Sequence, residues 1–284
     1  MLRSRAPAKV NLTLHVLGRR ADGFHELDSL VAFAGCAVDL LTLEPGGPLS
    51  LSVQGPFAQA AGEDGDNLVL KASRAAASRI PGLVLGRFSL VKRIPVAAGL
   101  GGGSADAAAA LRLLAQANDL SPDDPRLAAA AAATGSDVPA CLVSRAALMT
   151  GRGEGVAPIE GFLPLAAVLA NPLRAVSTAE VFRRLAIAPG GTFARPPAQQ
   201  GQGGFLDEVA HARNDLEPPA RELLPEIGTG IDALAGMAGC RLARMSGSGA
   251  TVFGLYDDQR AARRAARELR ARLPGWWVMP TLLR

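Results

Sequence analysis

Aromatic side chains are scarce in this chain. They make up 4% of 284 residues, with one Tyr and two Trp. Proteins that bind single-stranded nucleic acid combine a basic groove with aromatic rings on which bases stack. Here the formal net charge of +4 comes from basic residues spread along the chain rather than from one basic stripe. We therefore expect no nucleic-acid partner, whereas a phosphorylated small molecule suits this mild basicity.

Cysteine is also rare. Cys36, Cys141 and Cys240 are odd in number and far apart, and none belongs to a CxxC pair or lies near a His at metal-ligand spacing. A disulfide framework and a zinc site are therefore not expected. Buried or incidental thiols of this kind are typical of a reducing compartment.

Long apolar runs are missing as well. After Arg3 and Arg5, residues 10–16 alternate apolar and polar side chains, which predicts a half-buried strand rather than a signal peptide. The uncharged apolar window 161–173 is too short for a bilayer and contains Pro164 and Pro172. The sequence therefore predicts a cytoplasmic protein without a membrane segment.

Glycine, in contrast, is concentrated at one point. Gly99, Gly101, Gly102 and Gly103 lie between a β-favouring run, 88–96, and an alanine-rich helix predicted to begin near residue 105. Glycine N–H groups can converge on one point at a helix N-terminus, where an anion such as phosphate binds. An ordinary loop that needs glycine for close packing is the alternative. In either case Ser104 is the predicted N-cap, and Asp106 is predicted in the first turn, where the helix dipole favours a negative charge.

The glycine loop differs from two common nucleotide-binding motifs. It lacks the Lys-Ser/Thr pair of a Walker A loop and the third glycine of the GxGxxG fingerprint. Pro95 followed by GLGGGSADAA instead closely resembles the signature loop of the GHMP kinases, named for galactokinase, homoserine, mevalonate and phosphomevalonate kinases. This resemblance implies that ATP and Mg²⁺ are cofactors.

Two further segments resemble one branch of that superfamily, the kinases that act on 4-diphosphocytidyl-2-C-methyl-D-erythritol in the non-mevalonate isoprenoid pathway. These are APAKVNL at residues 6–12 and RADGFHEL at residues 20–27. A Gly-Ser-Asp-Val-Pro segment, 135–139, and a Ser-Gly-Ser-Gly loop, 246–249, follow in family order. From physics alone, a Lys at a strand end is usually solvated, an Asp in a turn usually bonds local N–H groups, and residues 246–249 read as a tight turn between strands.

The resemblance implies specific roles for residues of this chain. Asp137 matches the catalytic Asp, and Lys9 matches its cationic partner. Such a carboxylate can orient the attacking hydroxyl and accept its proton, while the lysine offsets charge near the transferring phosphoryl group. The implied ATP-binding residues are Pro95, Val96, Ala97, Ala98, Gly99, Leu100, Gly101, Gly102, Gly103, Ser104, Ala105 and, near the adenine, Asn67. The implied substrate-binding residues are Asn11, Phe24, His25, Phe182, Gly247, Ser248 and Gly249.

We expect the cytosine of such a substrate to stack between Phe24 and Phe182, with His25 bonding the edge of the base. Core packing is the alternative for each ring. Many members of this branch have Tyr where this chain has Phe24. The change keeps the ring and loses a hydroxyl.

The implied fold is the α+β, two-domain GHMP kinase fold. It pairs an N-terminal α/β domain like domain 2 of ribosomal protein S5, placed at 1–155, with a C-terminal ferredoxin-like α+β domain, placed at 156–284. The first would bind nucleotide and carry catalysis, and the second would bind substrate. The implied partner is a small-molecule cytidine diphosphate, phosphorylated on its 2-hydroxyl by a monomer or homodimer. Another GHMP kinase, of homoserine or mevalonate type, and a non-enzymatic nucleotide or nucleic-acid binder are the alternatives.

Local signals predict several boundaries. Asp66 or Asn67 is expected to cap a helix, residues 165–171 form a buried strand, and Ser177 opens a capping box. Asp257 and Asp258 precede a helix with an arginine-rich face, which we interpret as solvated. Residues 187–204 are rich in Pro, Gly and Gln and are predicted to be a flexible loop without chemistry.

Overall fold

The structure is a computed structural model that describes residues 1–62, 66–188, 190, 192 and 205–284. The chain forms two compact units whose segments alternate along the sequence. The first unit comprises Met1–Lys9, Ala37–Val96 and Gly101–Arg145, and the second comprises Val10–Cys36, Ala97–Leu100 and Ala146–Arg284. The predicted domain ranges, 1–155 and 156–284, stay a prediction.

The strands are β1 (Leu2–Asn11), β2 (His15–Arg19), β3 (His25–Pro45), β4 (Ser50–Gln54), β5 (Gly86–Val91), β6 (Ala147–Gly151), β7 (Gly155–Pro158), β8 (Leu165–Asn171), β9 (Cys240–Met245), β10 (Val252–Tyr256) and β11 (Trp277–Leu283). The helices are α1 (Ala58–Ala61), α2 (Leu68–Ala77), α3 (Gly102–Ala117), α4 (Pro125–Thr134), α5 (Val138–Val143), α6 (Thr178–Arg184), α7 (Phe205–His211), α8 (Glu217–Leu223), α9 (Glu226–Ala235) and α10 (Gln259–Arg272).

The first unit packs helices on a small sheet. β5 pairs antiparallel with the second half of β3, from Leu40 opposite Val91 to Pro45 opposite Gly86, and pairs parallel with β4. Alternate residues of β5, among them Phe88 and Leu90, are fully buried. Helix α3 contacts α2, α4 and α5. Its alanines 107–110 are completely buried, and their small side chains let the helices approach closely.

The second unit has an antiparallel sheet in which β8 lies between β10 and β11. β9 pairs on the other side of β10, and the first half of β3 pairs with β2 and β6. Helices α9 and α10 pack on this sheet. Its core contains Val168, Val252 and Leu269, which are fully buried. Among the described residues, no helix is long and apolar enough to span a bilayer.

The strand predicted over residues 10–16 is wrong in its middle. β1 ends at Asn11 and β2 begins at His15. Between them, the N–H groups of Leu12 and Thr13 both donate to the carbonyl of Leu30, at 2.8 and 3.3 Å. Two consecutive N–H groups cannot share one acceptor in a regular ladder, so the chain bends here.

The predicted start of the central helix is also wrong. Helix α3 begins at Gly102, and Gly101 rather than Ser104 is its N-cap. Gly101 has φ 59° and ψ 25°, and its carbonyl accepts the N–H of Ala105 at 2.8 Å. This left-handed conformation is open to glycine, which lets the helix start three residues before the predicted first residue. Asp106 consequently lies beyond the first turn and is buried.

Other boundaries are confirmed. β8 spans the predicted residues, and Asn67, Ser177 and Asp258 each cap a helix through a side-chain oxygen. A hairpin joins β2 and β3. Helix α5, directly after Asp137, was not predicted. Most of the predicted loop 187–204 lies outside the described residues.

Candidate active site

Lys9 and Asp137 form an ion pair in the first unit. The Lys9 Nζ lies 3.3 Å from the Asp137 Oδ1, and the two side chains are 4% and 37% exposed. A buried lysine needs a partner, so the usual solvated role of a lysine at a strand end does not apply to Lys9. Its carboxylate partner keeps one side open to solvent, where a hydroxyl group could approach.

The side chain of Asp137 does not cap the helix that follows it. Asp137 precedes α5, but it makes no side-chain hydrogen bond to the N–H groups of that helix. The ordinary reason for an Asp in a turn is therefore missing here. Pro139, in the first turn of α5, lacks an N–H group, which leaves fewer local donors for a carboxylate.

The glycine loop reaches this ion pair at Gly101. A Cβ atom added to Gly101 would lie 3.2 Å from the Lys9 Cε and 3.6 Å from the Asp137 Oδ2. The backbone at the N-cap of α3 thus lies directly beside both charged groups. The first N–H groups of a helix have no intrahelical acceptor, so those of Gly102, Gly103 and Ser104 can bind an anion.

Residues 97–100 of the loop belong to the second unit, where Gly99 packs against the Ser-Gly-Ser-Gly segment. The Ser246 hydroxyl donates to the Gly99 carbonyl at 3.0 Å, and the Thr251 N–H donates to the Ala98 carbonyl at 3.1 Å. Gly99 has φ +73°, and a Cβ there would lie 2.5 Å from the Ser246 carbonyl oxygen. Glycine is therefore required at residue 99 for both conformation and close approach.

Hydrogen bonds also link the predicted substrate residues of the second unit. The N–H of Asn11 donates to the Ser246 hydroxyl at 3.1 Å, and its side-chain amide donates to Ser29 at 2.8 Å. The hydroxyls of Ser248 and Thr178 are 2.7 Å apart. Residues 247–249 are therefore tied to the start of α6, four residues before Phe182.

The three residues predicted to contact cytosine take part in two ring contacts, one between His25 and Phe182 and one between Phe24 and Arg152. His25 stacks on Phe182, with ring centroids 4.6 Å apart and an interplanar angle of 24°. Phe24 lies beneath the guanidinium of Arg152, 4.7 Å from the ring centroid, and is 51% exposed. One face of Phe182 is thus covered by His25 rather than left open for a base.

Burial, with a smaller contribution from the nearby charge of Arg19, lowers the pKa of His25. The imidazole is therefore neutral at pH 7, with one nitrogen that donates and one that accepts a hydrogen bond. This pattern can match the edge of a cytosine, which carries both an acceptor and a donor.

Asn67 has a structural role in the first unit. Its side-chain oxygen accepts the N–H of Val69 at 3.0 Å, and its amide donates to the carbonyls of Ala61 and Gly62 at 3.3 and 2.9 Å. These local bonds explain the residue without a ligand. Its predicted position near an adenine stays a prediction.

Sequence reasoning missed residues that hold the Ser-Gly-Ser-Gly segment in place. The Asn214 amide donates to the carbonyls of Met245 and Gly247 at 2.9 and 2.8 Å. Arg244, which is 6% exposed, donates to the carbonyls of Leu12, Val209, Ala210 and Ala212. The bonds of Asn214 and Arg244 join segments more than 30 residues apart, and no local spacing signals them.

Similarity to known proteins covers both units. The family model described as GHMP kinases N terminal domain matches residues 67–145, and that described as GHMP kinases C terminal matches residues 204–275. Two relatives are named 4-diphosphocytidyl-2-C-methyl-D-erythritol kinase. That of Xanthobacter autotrophicus is 58% identical over 292 residues, and that of Methylobacterium radiotolerans is 57% identical over 290 residues. In both cases the match covers 100% of this chain and 99% of the relative.

Solved structures are similar along the whole chain. A crystal structure of 4-(cytidine 5'-diphospho)-2C-methyl-D-erythritol kinase is 36% identical, with a TM-score of 0.76 and 99% of each chain covered. A homoserine kinase from Cytophaga hutchinsonii is 18% identical, with a TM-score of 0.69 and 99% of this chain and 94% of that chain covered, which indicates a shared fold. The predicted two-domain α+β fold is confirmed. The chain belongs to the GHMP kinases, within the branch of the 4-diphosphocytidyl-2-C-methyl-D-erythritol kinases.

Proposed function

We propose that this chain transfers the γ-phosphoryl group of ATP to the 2-hydroxyl of 4-(cytidine 5'-diphospho)-2-C-methyl-D-erythritol, a step of the non-mevalonate isoprenoid pathway. The names of relatives 52–58% identical to it support this function over a homoserine or mevalonate kinase. In the structure, the observation that carries the proposal is the position of Gly101 beside both Lys9 and Asp137, where a Cβ would lie 3.2 Å from the Lys9 Cε and 3.6 Å from the Asp137 Oδ2. It joins an anion-binding helix N-terminus to a carboxylate that can accept a proton.

Asp137 is the proposed general base. Its carboxylate orients the substrate hydroxyl and takes its proton as the hydroxyl oxygen forms a bond to the γ-phosphorus. The bond from the γ-phosphorus to the β,γ-bridging oxygen breaks, and ADP leaves. Lys9 holds Asp137 in position and offsets negative charge on the transferring group.

The loop from Pro95 to Ala105 is proposed to bind the triphosphate through backbone N–H groups at the start of α3. Mg²⁺ bound with ATP would neutralise phosphate charge. Among the described residues, no group of three His, Cys, Asp or Glu side chains could hold a metal ion. The ion would therefore take its ligands mainly from phosphates and water, as Mg²⁺ commonly does.

The cytidine diphosphate is proposed to contact the second unit, through Asn11, His25, Phe182 and residues 247–249. Because His25 already covers one face of Phe182, the base would use the other face or displace the imidazole. Phe24, which is exposed and lies beside Arg152, would supply the second ring that stacks on the base.

Replacing Phe182 tests the cytosine contact. Stacking of a base on an aromatic ring contributes about 1–3 kcal/mol, so Phe182→Ala should raise the Kd for the cytidylyl substrate roughly five- to a hundredfold. ATP affinity should hardly change. Isothermal titration of each ligand measures the two effects separately.

Phe162→Ala is the matched control, because Phe162 belongs to a different aromatic pair of the second unit, edge-on to Phe205 with centroids 5.3 Å apart. It should leave both affinities unchanged.

Methylerythritol phosphate, which lacks the nucleotide, should be a very poor substrate of the wild type. Equal activity on methylerythritol phosphate and on the cytidylyl substrate would show that the enzyme does not recognise the cytosine.

A coupled assay of ADP release tests the proposed function itself. The cytidylyl substrate should support turnover, and homoserine and mevalonate should not. Turnover with either of those alcohols alone would assign the chain to another GHMP activity. Binding of oligonucleotides that weakens steeply with salt, without ADP release, would support the non-enzymatic alternative.

We also propose that the enzyme works in the cytoplasm on small molecules, as a monomer or homodimer. Cys36, Cys141 and Cys240 are free thiols, as is usual in a reducing compartment. Light scattering after size-exclusion chromatography distinguishes the two oligomeric states.

A further inference from the structure

Lys92 lies between two carboxylates inside the first unit. Its Nζ is 2.5 Å from the Asp39 Oδ2 and 2.6 Å from the Asp106 Oδ2. The three residues are 2%, 0% and 3% exposed. Asp106 belongs to the GLGGGSADAA segment that carries the family resemblance, but neither it nor Asp39 nor Lys92 is given a role by that resemblance or by the proposed mechanism.

Asp39 holds the chain where it enters the glycine loop. Its Oδ1 accepts the N–H groups of Arg93 and Ile94, at 2.5 and 2.9 Å. Ile94 directly precedes Pro95, the first residue of the loop. Asp39 therefore fixes this end of the loop to β3.

Asp106 holds the chain where it leaves the loop. It directly follows Ala105, the last residue of the loop, and belongs to α3, whose N-terminus is the proposed phosphate site. Lys92 bridges the two carboxylates and also lies beneath the loop, since a Cβ on Gly102 would be 3.2 Å from its Nζ. Both ends of the loop are thus tied to one ammonium group.

Stability alone does not account for this cluster. Replacing a buried ion pair with apolar residues is often neutral or stabilising, because desolvating the charges is costly. Here the Oδ1 of Asp106 is buried without a hydrogen-bond partner among the described residues, which adds to the cost. A cluster that costs this much and spans both ends of a binding loop fits a role in shaping the loop.

We propose that Asp39, Lys92 and Asp106 form a clamp that sets the spacing of the two ends of the glycine loop and thereby its affinity for the ATP phosphates. The three are positioning residues, and the inference rests on the proposed function of the loop. Several N–H groups must converge on one phosphate, so a small displacement of either end weakens all of these hydrogen bonds together.

Asp106→Ala cuts one end of the clamp, and the Kd for a non-hydrolysable ATP analogue should rise about ten- to a hundredfold. The KM for the cytidylyl substrate should stay within about twofold. Asp106→Asn, which keeps an oxygen for Lys92, should restore most of the ATP affinity. Lys92→Met removes the bridging charge at similar volume and should weaken ATP binding as Asp106→Ala does.

Asp124→Ala is the control for lost stability. Asp124 is the N-cap of α4 in the same unit, and its removal should lower the melting temperature without changing ATP affinity. Hydrogen exchange gives a readout that does not depend on ATP. In Asp106→Ala and Lys92→Met, the amides of Ile94 and Ala105 should exchange faster, while those within α4 should not.

Unchanged exchange and wild-type ATP affinity in a folded Lys92→Met protein would overturn the clamp. If Asp106→Ala does not fold, Lys92→Met still decides the question by the same two measurements. Failure of the proposed function looks different. If the loop did not bind ATP, the wild type itself would not bind the analogue while the exchange effects would remain. If the chain used another alcohol, both effects would remain but the cytidylyl substrate would give no ADP.

Discussion

Asp137→Asn is expected to lower turnover by about two to four powers of ten, the usual contribution of a general base. Asn is nearly isosteric with Asp but cannot accept the proton of the attacking hydroxyl. The Asp137 side chain makes no cap hydrogen bond to α5, and Asn keeps an oxygen that can accept from Lys9, so the variant should still fold, with a lower melting temperature because Lys9 loses its charged partner. The kcat from the ADP-release assay should fall, while the affinities for ATP and for the cytidylyl substrate, measured by titration, should stay close to those of the wild type.

Two further variants sharpen this test. Asp124→Asn makes the same exchange at the residue before α4 of the first unit, where the carboxylate pairs with Arg126, and should keep full turnover. Lys9→Ala should also lower turnover, because Asp137 loses the partner that holds it at 3.3 Å. If Asp137→Asn kept near wild-type turnover, Asp137 would not be the general base and would have only a structural role in the turn before α5.

The sequence allowed the chemistry of single segments to be predicted better than the burial and the contacts of their residues. The glycine loop was identified from residue types and the Gly-Ser-Asp turn from the family resemblance, and the structure places Gly101 beside Lys9 and Asp137. That Lys9 is buried could not be predicted, since a lysine at a strand end is usually solvated. Burial depends on what packs over the residue, and Asp137 is distant in sequence.

The errors have local physical causes. Ser104 is a better N-cap than Gly101 by residue preference, but the left-handed φ of Gly101 starts α3 earlier. The stack of His25 on Phe182 joins residues from β3 and α6, which no sequence spacing connects. The contact between Asp39 and Lys92, which are 53 residues apart, was not predicted for the same reason.

Gly101→Val is expected to abolish most ATP binding, with a rise in Kd of about a hundredfold or more, because at least two charge-assisted hydrogen bonds to phosphate would be lost. A Cβ at residue 101 would already lie 3.2 Å from the Lys9 Cε, so the two methyl groups of Val must displace the loop or the ion pair. Phosphate could then no longer approach the N–H groups of the first turn of α3. Titration with a non-hydrolysable ATP analogue measures the loss directly.

Backbone strain must be separated from this steric effect, and Gly82 offers the matched control. Gly101 and Gly82 have φ values of +59° and +76°, so Val is strained at both, but a Cβ on Gly82 would meet nothing within 4 Å. Gly82→Val, in the same unit, should therefore lose a similar amount of stability and keep its ATP affinity. If folded Gly101→Val bound the analogue as tightly as Gly82→Val, the phosphates could not lie against the N-terminus of α3. The loop would then be a packing feature, with glycine at residue 101 required only by its left-handed backbone.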